Sequence, residues 1–244
     1  MSYQFMNPFR PIKNKRISER IAQQVKNAIL RGTMKPGDRL PPERELVDQF
    51  QASRISIREA LKSLETSGLL TIKPGSGIFV AEVNSKPISD SLSSILRMQR
   101  ISIKELTEAR IMLEPYIGKF ATEKITGDDL GKLEKNIQET SKIVKSNHPS
   151  PAQNIEFHSL IAAATKNQVI ALTMKTLLDV VKEMTLEITD HLPKRIEISR
   201  QAVAYHKKIL KALRERDSQK VYELMLKDII QVQSGLKIIT SKSK

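Results

Sequence analysis

Cysteine and tryptophan are absent from the 244 residues, and aromatic side chains make up only 4% of them. Without cysteine there are no disulfides, no thiolate zinc sites and no cysteine nucleophile, and the chain suits a reducing compartment. No apolar run approaches the roughly 20 residues that a membrane-spanning helix needs. The opening MSYQFMNPFR is polar and proline-bearing where a secretory signal would be continuously apolar, so the expectation is a cytoplasmic protein. What is present is globular: 39% hydrophobic and 28% charged residues, enough for two ordinary domains. The formal net charge of +14 favours anionic partners, but it divides as +6 up to residue 85 and +8 beyond. Charge alone therefore does not locate a binding site; motif and facing must do so.

The most informative stretch runs from Arg39 to Ala81. In SRISIREALKSL, Ile57, Ala60, Leu61 and Leu64 recur at helical spacing, so one face must pack. The other face carries Arg54 and Arg58 one turn apart with Ser56 between them, near a helix start where backbone N–H groups and basic side chains can meet phosphate. PPERELVDQF reads as a second short helix, with Pro42 in its first turn and Leu46, Val47 and Phe50 facing its neighbour. Gln51 to Ser53 make a helix-turn-helix connection, with Ser53 as N-cap. Beyond Gly68, LLTIK and IFVAE are two short strands joined by a Pro/Gly turn, a hairpin that carries Lys73 and the Gly75-Ser76-Gly77 tip. Helix, turn, helix and basic-edged hairpin together make a winged helix. A preceding helix at about Arg16 to Arg31 buttresses it, and residues 1–15 form a basic arm that could touch DNA backbone.

Pro36-Gly37-Asp38-Arg39-Leu40-Pro41, Glu43-Arg44-Glu45-Leu46, Ser53-Arg54, Arg58-Glu59-Ala60-Leu61, Gly68-Leu69 and Gly75-Ser76-Gly77 follow one another in an order that resembles the N-terminal domain of the GntR family of bacterial transcription regulators. The resemblance implies DNA contacts from Arg44, Arg54, Ser56, Arg58 and Gly75, and Ser53 is counted with them as the cap of the reading helix. Gln51 stands where a turn glycine is common, Ile55 where threonine is usual, and Pro74 where the wing tip is usually polar. Ile55 offers only apolar contact where a hydroxyl could hydrogen-bond to a base.

Val83 to Ser89 reads as the boundary, and every strong pattern after Asp90 is helical. The expected fold is thus mainly α: residues 1–85 a winged helix-turn-helix domain for DNA, residues 86–244 an all-helical bundle for ligand and dimerisation. Ser102 and Glu105 form a capping box, with Ile101 able to staple onto Leu106. Further helices are expected from about Thr126, Ala152, Val169, Lys194 and Ser218. Several polar residues fall on apolar stripes. Arg110 lies between Leu106, Leu113 and Ile117; His206 between Val203 and Leu210; Asp228 between Leu224 and Val232; and His158 one turn after Asn154. Buried unpaired, these groups would be costly, so they either satisfy one another or surround a ligand or ion. His148 and His191 read as surface residues.

Glu108-Ala109-Arg110, Leu113-Glu114, Phe157-His158 and the last helical hairpin with His206 are similar to the FCD-type domain of the FadR subfamily. That resemblance implies a divalent metal (zinc, nickel or manganese) at Asn154, His158, His206 and Asp228, where Asn154 replaces a carboxylate and Asp228 an imidazole. Without the metal, the histidines are hydrogen-bonded core residues and Asp228 pairs with Arg110 or His206. Arg110 is the expected anchor for an effector carboxylate, a small acid or sugar acid, with Arg200 next in line. The function expected is a homodimeric regulator, a repressor, that reads a palindromic operator and responds to that acid; it is not an enzyme. Two alternatives stand beside it: a constitutive dimeric DNA-binding protein, and a bundle metalloenzyme tethered to a DNA-binding module.

Overall fold

The computed structural model describes residues 17–82, 86–189 and 195–240. The expected arm at residues 1–15 and His191 lie outside them. The chain separates into two compact units, Met1–Pro87 and Ile88–Lys244. In the first unit come α1 (Ile17–Leu30), α2 (Glu43–Phe50), α3 (Arg54–Thr66), β1 (Leu70–Lys73) and β2 (Gly77–Val80). Their shared core is Ile21 and Val25 from α1, Leu46 from α2, Ile57, Ala60, Leu61 and Leu64 from α3, and Leu70, Ile78 and Val80 from the hairpin. The four apolar positions that the α3 periodicity singles out are its four buried residues. Burial of side chains of this size is worth about 1.5–3 kcal/mol each, which fixes the opposite face of α3 outward.

Two local features go beyond the sequence reading. The segment 37–40 pairs along β2, with Leu40 N donating to Ile78 O at 2.8 Å and Val80 N to Asp38 O at 2.8 Å, so the wing has a third extended edge. The helix-turn-helix turn passes through Gln51 at φ 48. A side chain in this left-handed region costs about 1–2 kcal/mol relative to glycine. Gln51 Nε2 donates to Asp48 O at 2.7 Å and offsets part of that cost. At the wing, Gly75 at φ 74 follows Pro74, as a type II turn requires of its second central residue.

The second unit contains α4 (Lys86–Met98), α5 (Ile103–Lys124), α6 (Gly127–Lys145), α7 (Pro151–Ala164), α8 (Gln168–Thr189), α9 (Arg195–Arg214) and α10 (Ser218–Thr240). Helix α4 begins inside the expected boundary Val83–Ser89, with residues 86–89 as its first turn; Pro87 there removes an N–H that has no intrahelical partner anyway. Capping boxes at Ser102/Glu105 and Thr126/Asp129 start α5 and α6. Two cores flank α7. Phe157, Ile161 and Ala164 face one with α5, α6, α9 and α10, while Ile155 and Ala162 face the other with α8 and Leu106 of α5. A helix buried on both sides carries apolar residues all round, which is why α7 shows little amphipathic contrast.

Helices α5 and α10 approach closely at Gly118, where an added Cβ would overlap Met225 Sδ and lie 3.1 Å from Val221 Cγ1. Arg216, between α9 and α10, ties this hairpin to the end of α5 by donating from Nη1 to Thr122 O at 2.5 Å and from Nη2 to Ile125 O at 2.7 Å. Gly118→Ala should therefore lower stability by about 1–3 kcal/mol, as overpacking does. Urea denaturation checks this, and an unchanged midpoint would show that Met225 has room to move.

Candidate nucleic-acid interface and buried polar site

On the first unit the reading helix begins at Ser53, whose Oγ accepts from Ser56 N at 3.1 Å. The Ser56 hydroxyl lies 3.0 Å from the same Oγ, so it is partly engaged in the cap. Arg44, Arg54 and Arg58 are exposed, Ile55 is 71% exposed, and Gly75 sits at the open wing tip. An exposed isoleucine beside two arginines at a helix start suits an apolar contact such as a thymine methyl. Arg58 Nε donates to Glu43 Oε2 at 2.8 Å, across from α3 to the first turn of α2. This leaves the terminal amino edge of Arg58 to point outward. Lys73 Nζ stands 5.2 Å and Arg39 Cζ 6.0 Å from the centre of the Phe79 ring, so two cations share one aromatic support on the wing. A cleft of about 350 Å³, lined among others by Arg39, Glu43, Lys73 and Gly75, separates the wing from the start of α2. Sequence spacing does not reveal Glu43 and Arg39 as members of this surface. Both sit inside the family-like motif, but their partners are 15 and 40 residues away.

In the second unit α5, α7, α9 and α10 each send a polar side chain to one buried point. Glu114 and Arg110 come from α5, His158 from α7, His206 from α9 and Asp228 from α10, and none is more than 3% exposed. Arg110 Nε donates to Glu114 Oε1 at 2.5 Å. His158 Nδ1 lies 2.5 Å from Glu114 Oε2, and its Nε2 lies 3.2 Å from Asp228 Oδ2. His206 Nε2 lies 3.4 Å from the same Asp228 oxygen, and its ring stacks on Phe157 with centroids 3.7 Å apart and planes 10° apart. Ring packing thus orients His206, while two carboxylates bracket His158.

Apart from the Arg110–Glu114 bond, these contacts are close without meeting hydrogen-bond geometry. Glu114 Oε2, His158 Nδ1, both His206 nitrogens, both Asp228 oxygens and Asn154 Oδ1 are buried with no hydrogen-bond partner among the described residues. The donor atoms of His158, His206 and Asp228 all lie within 4.8 Å of one another. Metal bonds of about 2.0–2.1 Å place tetrahedral ligand atoms about 3.3 Å apart. The 3.2 and 3.4 Å separations around Asp228 Oδ2 match that edge length. A divalent cation fits this donor set, and Asn154 Oδ1, one turn before His158, is a further unmatched oxygen on the same helix.

Burial works against charge at each of these groups, and the neighbours decide the outcome. For Glu114 it would raise the pKa, but the Arg110 charge and then His158 hold it down to about 2. Burial also opposes protonation of His158, yet the Glu114 charge and the Asp228 contact raise it to about 9. At His206 burial prevails and lowers the pKa, and Asp228 is held below the usual carboxylate range against burial, chiefly by His206 and His158.

One sequence expectation, the inward place of Leu113, is corrected. Leu113 is 44% exposed rather than inward; the inward α5 face runs through Leu106, Arg110, Glu114 and Gly118. Glu114 is the member of the cluster that sequence reading missed, although its place four residues after Arg110 puts the two on one face. Arg200 is exposed and stands 3.7 Å from Glu197 Oε2, outside the cluster. His148 is exposed, as expected.

A winged helix with outward arginines, in one chain with a helical domain built around a buried polar point, is the arrangement of a DNA-binding regulator. Residues 17–80 match the bacterial regulatory proteins of the gntR family, and residues 105–230 match the FCD domain. The chain belongs to the GntR family, in a form consistent with the FadR-type subfamily, whose members are transcription regulators rather than enzymes. It is 32% identical to the uncharacterised HTH-type transcriptional regulator YcbG of Bacillus subtilis over 86% of each chain. It is 28% identical to the HTH-type transcriptional repressor NanR of Cronobacter sakazakii, over 85% of this chain and 80% of NanR. The solved structure of Streptococcus agalactiae GntR, 28% identical, covers 89% of this chain and 99% of its own with a TM-score of 0.68.

The raised pKa of His158 has a measurable consequence. A folded value of about 9 above an ordinary 6.5 means that the stability His158 contributes is complete below pH 6.5 and is lost as pH rises through 9. Glu114 acts oppositely: its contribution is complete above 4.5 and is lost as pH falls through about 2. In metal-free protein the thermal midpoint should fall between pH 6.5 and 9 relative to His158→Gln. Parallel profiles for the two proteins would mean that His158 is not charged in the folded state.

Proposed function

We propose that this GntR-family protein is a homodimeric transcription repressor whose grip on a palindromic operator is modulated by a small carboxylate. In this reading residues 1–85 bind DNA and residues 86–244 bind the effector and form the dimer. Arg54 and Arg58 read the major groove, Ser53 caps the reading helix, and Arg44, Ser56 and Gly75 make the neighbouring contacts. The observation that carries the reading is the outward set of Arg44, Arg54 and Arg58 on a helix pair whose opposite faces are buried. Two-fold symmetry in the protein calls for two-fold symmetry in its site. The name of NanR as a repressor supports the sign of the regulation.

In the helical domain His158, His206 and Asp228, with Asn154 beside them, hold a divalent metal, zinc, nickel or manganese. The bound cation supplies positive charge that attracts an acid; the protein's share is to place the donors and exclude water around them. Arg110 contributes a second positive group. Its Nε is committed to Glu114, and the guanidinium carries two further nitrogens. Removing the Arg110 guanidinium would leave Glu114 charged and buried, a change worth about 3–5 kcal/mol, so Arg110→Lys is the readable variant.

Wild-type protein should bind its own promoter fragment more tightly than scrambled DNA at fixed salt, and Arg54→Ala should lose about 1–3 kcal/mol of that preference. Equal affinity of the wild type for both DNAs would refute a specific regulator. An effector screen on the same complex separates a responsive repressor from a constitutive DNA-binding protein. For the metal, wild-type protein reconstituted with zinc should retain it through gel filtration and lose thermal stability to a chelator. His206→Ala should do neither; a wild type that takes up none of zinc, nickel or manganese returns the histidines to the core.

A further inference from the structure

Arg110 and Glu114 stand four residues apart on α5, which puts their side chains on the same face one turn apart. Glu114 divides its two oxygens. Oε1 accepts from Arg110 Nε at 2.5 Å, and Oε2 stands 2.5 Å from His158 Nδ1. The other ring nitrogen, His158 Nε2, lies 3.2 Å from Asp228 Oδ2, the atom that His206 Nε2 approaches to 3.4 Å. His158 is thus held end to end, one nitrogen toward α5 and the other toward the point shared by α9 and α10. Among the described residues no carboxylate stands behind His206 Nδ1; its ring is set by stacking on Phe157.

We propose that Glu114 is the positioning residue of the metal site, and that Arg110 acts through it. The proposal rests on the metal reading above. An imidazole can donate Nε2 to a cation only when that nitrogen is free of its proton, so the remaining proton must sit on Nδ1. A carboxylate facing Nδ1 stabilises that tautomer, fixes the ring's rotation and makes Nε2 a better donor. Glu114 can do this only if it stays charged and stationary inside the bundle. The Arg110 guanidinium, buried beside it, does both. Residue by residue, α5 donates no ligand atom yet sets the ligand on α7, so Arg110 has a task in the site whether or not an effector is bound.

Glu114→Gln is the discriminating variant. With its amide oxygen turned to Arg110 Nε, glutamine presents N–H to His158 Nδ1. Two donors cannot face each other, so the ring keeps its proton on Nε2 and withholds that nitrogen from the cation. Zinc affinity, read by competition with a chromophoric chelator, should fall about 10–100-fold in Glu114→Gln, while His206→Ala abolishes binding. In the zinc-loaded wild type a slowly exchanging His158 Nδ1 proton should be visible by nitrogen-edited NMR, and it should vanish in the variant. A purely structural ion pair would alter thermal stability but neither of these readouts. Glu114→Gln that binds zinc within about twofold of wild type and keeps the proton signal overturns the positioning role, leaving the metal reading intact if His206→Ala still abolishes binding. A wild type that binds none of zinc, nickel and manganese overturns both. Should Glu114→Gln not fold, Glu114→Asp keeps the charge for Arg110 while drawing the carboxylate back from His158. It must then show the same loss of zinc affinity.

Discussion

Charge placed inside a helical bundle must be matched by charge, and α5, α7, α9 and α10 meet where that requirement is enforced. Arg110, Glu114, His158 and Asp228 form a chain of alternating sign with every member buried. An apolar set of similar volume would fill the same space without taking ions out of water, and such replacements are often neutral or stabilising. Stability therefore does not account for the cluster. Nor does hydrogen bonding: Asp228 has neither oxygen satisfied, although oxygens of a buried carboxylate are normally among the best satisfied in a protein. The packing serves this point. Gly118 lets α10 come close enough to α5 to bring Asp228 toward Glu114, and Arg216 pins the α9–α10 turn to the end of α5.

The DNA-reading unit solves the opposite problem, keeping cations outward. The α3 core residues fix which side of the helix faces away, and Ser53 satisfies the backbone at its start, so Arg54 and Arg58 project from a rigid element. Glu43 is the unexpected partner. A carboxylate at a surface meant for phosphate weakens attraction in general, but here it takes the Nε of Arg58 and leaves a defined edge for a base or phosphate. With both side chains largely exposed, the pair itself contributes little to stability. Its effect is on orientation.

What could be read from sequence follows from how local the causes are. The capping boxes at Ser102 and Thr126, the buried stripe of α3 and the inward His206 and Asp228 depend on neighbours within two turns, and they are where periodicity puts them. The failures have nonlocal causes. Leu113 and Glu114 are adjacent, and hydropathy favours burying the leucine; the tertiary partner His158, together with Arg110 one turn back, holds the glutamate inside instead. Helix α4 was obscured by the proline and serines that open it, and the 37–40 edge pairs with a strand some 40 residues on. Arg200 shares a helix with His206, but the step of six positions between them turns about 600° around the axis at 3.6 residues per turn, which puts it on the solvent side.

Counting charge at the buried point links the metal and the effector. With His158 protonated, His206 neutral and both carboxylates ionised, the metal-free cluster balances two positive groups, Arg110 and His158, against Glu114 and Asp228. On the proposed reading a divalent cation enters where the His158 Nε2 proton was, so the cluster exchanges one positive charge for two. The buried point then carries a net charge of about +1, a state that low-dielectric surroundings disfavour strongly. On that reading a monocarboxylate removes the excess, and the planar guanidinium of Arg110 has the fork that such a group fits. The same count disfavours a neutral sugar, which would leave the charge uncompensated. It also disfavours a dicarboxylate buried whole, which would overshoot it. On the proposed metal reading, the alternating charges of α5, α7 and α10 thus suit an effector with one acidic group at the buried point and its remaining polarity elsewhere.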